Sequence, residues 1–184
     1  MTLQRSLRVG TLNVRGLNAR RKQCQLSRLF IEKDLDIVAV QESKIESEAQ
    51  TESMVRLFES RYNVCVSHAI GTSGCRLLFL RKSIGTVEQV ISCEAGRLIV
   101  CDFLFSNYNF RVLCIYAPNK VDDRLIFFEN VNQYVQTDRL VLLLGDFNCV
   151  CAPGDRSNSA RYRDASAVFL RRRSHGGHLK QAIA

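Results

Sequence analysis

Residues 140–144 read LVLLL and are followed at once by Gly145, Asp146, Phe147 and Asn148. Five apolar side chains in a row leave no polar face for water, and the run is too short to be a core helix or a membrane span. It predicts a strand covered on both faces, which requires a layered domain with helices packed on sheets. The glycine, acid and asparagine after it mark the point where that buried strand surfaces.

The other periodic segments fit the same architecture. Residues 7–14 (LRVGTLNV) and 37–41 (IVAVQ) are short, apolar and rich in branched side chains, as strands are. Between them Leu26, Leu29, Phe30 and Lys33 fall at helical spacing, which predicts a helix over 20–33 that ends at the Asp34-Leu35-Asp36 break. Met54, Val55, Leu57 and Phe58 give a second helix over 48–59. From Tyr62 the period shortens. The segments 62–67, 76–80, 86–92, 97–105 and 110–116 are separated by Gly, Ser or Asn turns and read as an antiparallel meander. A helix over 122–135 follows, with Asp122 or Asp123 as its N-cap. The order β-α-β-α, several strands, then α-β predicts a mixed α/β domain.

The 184 residues can bury one sizeable core, and 46% hydrophobic with 24% charged residues is globular composition. The net charge is +8, unevenly spread. Residues 1–28 hold seven basic residues and no acid, and 155–184 hold seven basic and two acidic ones, leaving the middle acidic. Basic ends around an acidic middle fit a polyanionic partner beside a cation pocket, and fit a solvated basic surface equally well. No apolar run reaches membrane-spanning length, and the first residues lack the apolar stretch of a secretory signal. The eight cysteines are scattered, mostly inside apolar runs, as reduced buried thiols of an intracellular protein would be. Cys149 and Cys151 with His175 and His178 lack the usual spacing of a structural zinc site.

Four predicted strand ends carry hydrogen-bonding or oxygen-donor side chains: Asn13, Glu42, Tyr116, and Asp146 with Asn148. In sheets of this kind such residues collect at one rim. Glu42 and Asp146 with Asn13 and Asn148 form an oxygen-rich set suited to a hard cation such as Mg²⁺. Each taken singly is also an ordinary turn former.

The segments TLNVRGL (11–17), VAVQES (38–43), IYAPN (115–119) and LLGDFN (143–148) resemble, in order, four motifs of the endonuclease/exonuclease/phosphatase superfamily. Within it the wording is similar to the endonuclease domain of non-LTR (LINE-type) retrotransposons, itself similar to apurinic/apyrimidinic endonucleases. The resemblance covers residues 7–170, with GTSGCRLLFL (71–80) and Gly96-Arg97 as weaker matches. It implies a DNase I-like two-sheet α/β sandwich acting on DNA as a monomer, intracellular and nuclear where functional, with Mg²⁺ as cofactor and Mn²⁺ as the alternative. It further implies Glu42 and Asn13 as metal ligands and Asp146 as the residue that aligns or deprotonates the attacking water. Asn148 would hold Asp146, Tyr116 would donate to the scissile phosphate, and Asn119 and Arg15 would contact DNA.

The family's closing Ser-Asp-His motif has no counterpart among these 184 residues. The expectation is therefore a C-terminally truncated domain over 1–172 with an incomplete second sheet. A disordered tail over 173–184 would follow, and nuclease activity would be impaired. His68 is expected as a surface residue, and His175 and His178 are not given the family histidine's role. A nucleic-acid-binding fragment without catalysis, and a small-molecule phosphatase of the same superfamily, are the competing readings.

Overall fold

A computed structural model describes residues 6–45, 47–67, 76–149 and 179–181. Alternation along the strands explains the layers. In β2 (Ile37–Gln41) Val38 and Val40 face the helices α1 (Arg20–Glu32) and α2 (Glu48–Phe58), while Ile37 and Ala39 face the second sheet. β4 (Arg76–Arg81) repeats the rule, with Leu77 and Phe79 on the helix side and Leu78 and Leu80 on the sheet side. Both strands are buried on both faces, which is why their sequences are continuous apolar runs. Phe79 anchors the helical layer, its ring centroid 5.1 Å from that of Phe30 and 4.7 Å from that of Phe58.

The first sheet has the order β1-β2-β4-β3, with β1 (Val9–Asn13) parallel to β2 and β3 (Tyr62–Ser67) antiparallel to β4. The second has the order β5-β6-β7-β8-β9, with β9 at Leu179–Gln181. Its β5 (Thr86–Cys93), β6 (Leu98–Phe105) and β7 (Tyr108–Tyr116) are antiparallel, and β8 (Leu140–Asp146) lies parallel to β7. Helix α3 (Val121–Val135) covers the outer face of this sheet through Phe127, Phe128 and Val131. The result is a four-layer α/β/β/α sandwich. Ile99, Cys101, Phe103, Val112, Cys114 and Leu144 meet Ile37, Ala39, Leu78 and Leu80 between the sheets.

Three expectations from the sequence are corrected. The five-strand meander does not exist as one sheet. β3 and β4 form a hairpin in the first sheet, and after the short 3₁₀ turn Lys82–Ile84 the strands β5–β7 build the second. Neither Asp122 nor Asp123 caps α3. Lys120 is the N-cap with no side-chain bond, and both acids sit in the first turn, where they favour the positive end of the helix dipole. The last residues are not wholly without structure, because Leu179–Gln181 form β9, parallel to β8. His68, His175, His178, Cys151 and the rest of the 173–184 tail lie outside the described residues. No helix among the described residues is long and apolar enough to cross a membrane.

Candidate active site

The registers of the two parallel pairs create the site. β1 and β2 end in step, with Asn13 opposite Gln41, so Glu42 follows beside Asn13. β7 and β8 also end in step, with Tyr116 opposite Asp146. The carboxyl ends of both pairs meet where the sheets face each other, the usual position of a ligand site in parallel sheets. Asn13 Nδ2 donates to Glu42 Oε1 at 2.9 Å and to Asp146 Oδ2 at 3.4 Å. Tyr116 donates its hydroxyl to the same Glu42 oxygen at 3.2 Å. Four side chains separated by up to 133 positions thus converge, two from each sheet.

The loops that present them are held in an uncommon backbone state. Glu42, Asn148 and Arg15 have φ of +54°, +48° and +48°, in the left-handed region that side chains other than glycine and asparagine avoid. The chain is pinned there by hydrogen bonds between the loops after β1 and β2, Gly16 N to Glu42 O and Leu17 N to Ser43 O, both 2.7 Å. Asn148 donates its backbone N–H to Asp146 Oδ1 at 3.0 Å and its amide to Ala117 O at 2.6 Å, so it orients Asp146. Gly145, at φ +133°, is obligatory, since a Cβ there would lie 1.9 Å from Ile115 O. Behind the site Gln41 accepts from Thr11 Oγ1 at 3.2 Å and its amide reaches Cys114 Sγ at 4.0 Å, tying the two sheets together.

Burial raises the Tyr116 phenol above its ordinary value, and the Glu42 and Asp146 charges add to the rise while Arg76 opposes it. Tyr116 is therefore a neutral donor across the physiological range. Among the described residues neither Glu42 nor Asp146 forms an ion pair, and no group of three or more His, Cys, Asp and Glu side chains is arranged to hold a metal ion. Two carboxylates with an amide between them, and no sulfur or imidazole, suit a hard cation that keeps part of its water and takes phosphate oxygens.

Of the other residues named from the sequence, Arg15 donates its backbone N–H to Asn13 Oδ1 at 3.3 Å, and its side chain is exposed. Asn119 is exposed and its carbonyl accepts from Arg124 Nη1 at 2.8 Å. Neither side chain joins the central group. Sequence reasoning missed two arginines that do approach it, Arg76 and Arg97, whose guanidinium carbons lie 4.9 and 5.7 Å from the Tyr116 ring centre. For Arg76 the available signal was a charge opening the otherwise apolar run RLLFL.

Solved structures share this fold at low identity. An AP endonuclease from Archaeoglobus fulgidus is similar with a TM-score of 0.66 and 16% identity, covering 92% of this chain and 70% of that one. D. rerio TDP2 in complex with a single-strand DNA product gives a TM-score of 0.61 and 17% identity, covering 89% and 64%. In sequence, a 149 kDa protein of transposon TX1 from Xenopus laevis is 26% identical over 170 residues, which are 90% of this chain and 13% of that protein. The chain thus spans about an eighth of that relative's length. The model of the Endonuclease/Exonuclease/phosphatase family matches residues 10–181, from within β1 to the end of β9 and through every loop that presents the site. By that match, and by the fold it requires, the chain belongs to the endonuclease/exonuclease/phosphatase family.

Proposed function

We propose that this chain is a DNA-nicking phosphodiesterase domain of a LINE-type retroelement product, dependent on Mg²⁺ or Mn²⁺, and that the 184 residues alone are a weak catalyst. The observation that carries the reading is the Asn13 amide bridging Glu42 of one sheet and Asp146 of the other. The likeness to a transposon protein supports the retroelement origin, and the DNA-bound neighbour supports DNA as substrate.

Glu42 and Asn13 would hold the divalent ion. When bound, such an ion neutralises a non-bridging phosphate oxygen and the departing alkoxide. Asp146, oriented by the Asn148 N–H, accepts the proton of the attacking water. Tyr116 donates its hydroxyl to the phosphate oxygen on which charge builds. Arg15 and Asn119 contact the flanking backbone, acting as a monomer on nuclear DNA. Weak catalysis follows from the missing Ser-Asp-His sequence. A family member without its phosphate-contacting histidine loses a donor typically worth about 10²–10⁴ in rate.

Supercoiled plasmid incubated with purified chain and Mg²⁺ or Mn²⁺ tests the reading. Slow nicking that disappears in Glu42→Ala is the expected result. Fast nicking lost in that variant would remove the claim of weakness. Cleavage of small phosphoesters but not of plasmid would move the substrate to the phosphatase branch.

A second reading, nucleic-acid binding without cleavage, is favoured by one feature. Arg20, Arg21 and Lys22 are exposed in the first turn of α1, where no acid offsets them. Salt-dependent DNA retention by a chain that never nicks would establish it.

A further inference from the structure

Arg76 opens β4 with 0% of its surface exposed. Arginine does not lose its proton in proteins, so this is a full charge taken out of water, which is costly unless its surroundings answer it. Its Nη1 donates to the carbonyl of Gly96, in the turn between β5 and β6, and its guanidinium lies over the Tyr116 ring. Ser67 Oγ donates to the same carbonyl at 3.2 Å. The next residue of that turn, Arg97, accepts the Tyr116 N–H on its carbonyl at 3.0 Å. It also returns Nη1 to the Tyr116 carbonyl at 3.4 Å and rests its guanidinium against the same ring. The negative face of an aromatic ring attracts cations, most strongly where water is excluded. Tyr116 is thus gripped by ring and backbone, leaving its hydroxyl directed at Glu42.

We infer that Arg76 is a positioning residue for the reaction: its buried guanidinium holds the Tyr116 ring directly, and holds Arg97 against that ring through the Gly96 turn, so that the phenolic hydroxyl stays aimed at the phosphate site. The inference rests on the proposed function, in which Tyr116 touches the substrate. A core-filling role alone would need an apolar side chain of similar length and no planar cation. Lysine could keep the charge but not the flat fork that bonds Gly96 and lies over the ring together.

The test reads the Tyr116 hydroxyl directly, at fixed neutral pH, in protein labelled with ¹³C at tyrosine Cζ. The Tyr116 resonance is identified by its loss in Tyr116→Phe, and Glu42→Ala, which leaves no acceptor, supplies the shift that accompanies loss of the hydrogen bond. Arg76→Met is expected to move the resonance in the direction of Glu42→Ala, and Arg76→Lys to move it part of the way. In the nicking assay Arg76→Met should lower kcat by up to about 10²-fold with KM little changed, the signature of a misplaced group. A Tyr116 resonance that stays in place in folded Arg76→Met overturns the inference. If neither variant folds, the contact is read from its other side. Tyr116→Leu should then shift the Arg76 Nε–H resonance, and an unmoved resonance overturns the inference equally. A wild-type chain that nicks nothing defeats the proposed function while leaving the resonance result readable.

Discussion

Glu42 shows what the site costs the fold. Its φ of +54° is a state that a side chain occupies at about 1 kcal/mol or more, and its carboxylate faces that of Asp146 across one amide. Glu42→Gly should therefore gain about 1 kcal/mol in urea unfolding while eliminating divalent-ion binding and nicking. A variant less stable than wild type would show that the carboxylate's bonds to Asn13 and Tyr116 outweigh the strain. Gly145 is the opposite case. An alanine Cβ there collides with Ile115 O and meets a forbidden φ, so Gly145→Ala should lose about 3 kcal/mol or more. Unfolding midpoints within error of wild type would refute that. Asn13, Glu42, Tyr116 and Asp146 were legible in the sequence because each follows an apolar run, and a polar residue at a strand end has few places to go. Arg76 was not, since a buried arginine that lies over a half-buried ring is written with the same letter as one in solvent.

The contrast between α1 and α2 carries meaning at the level of elements. α2 begins with a complete capping box, Ser47 accepting from the Gln50 N–H and Gln50 accepting from the Ser47 N–H. α1 has no side-chain cap and opens with three cations on the positive end of its dipole. A helix arranged against its own electrostatics suits a surface that meets phosphates. Arg21→Glu should stabilise the fold by about 0.5 kcal/mol yet weaken DNA binding and flatten its salt dependence. Binding and salt slope equal to wild type would remove this helix end from the interface. Element boundaries were readable because helix and strand periods differ sharply. Sheet membership was not, because a hairpin connection and a passage between sheets both need only a short polar turn. Lys82–Ile84 makes the passage, while Ser106 and Asn107, both at positive φ, make the tight hairpin between β6 and β7.

Across the whole molecule the buried Cys114 thiol contributes to the loss of stability at alkaline pH. Burial pushes the Cys114 thiol from 9.0 up to about 12. Its folded value is raised, so the stability it contributes is complete below pH 9 and is lost as pH climbs toward 12, because the unfolded chain releases the proton first. One such group gives a slope of about 1.4 kcal/mol per pH unit in that window. Cys114→Ala should flatten the fall in stability above pH 9, read by urea unfolding at a series of pH values, and an unchanged slope would assign the loss to other groups. Burial and neighbouring charges raise Tyr116 in the same sense, so it adds to the decline at higher pH.

The split origin of the central residues has a mechanical consequence. Neither sheet carries the full set, so the geometry exists only while the two layers stay in register across the Leu78, Leu80, Ile99 and Phe103 contact. Under the proposed function, ion affinity is then a gauge of interlayer slippage. A bulky or shrunken side chain deep in that seam should loosen the gauge long before any strand unzips.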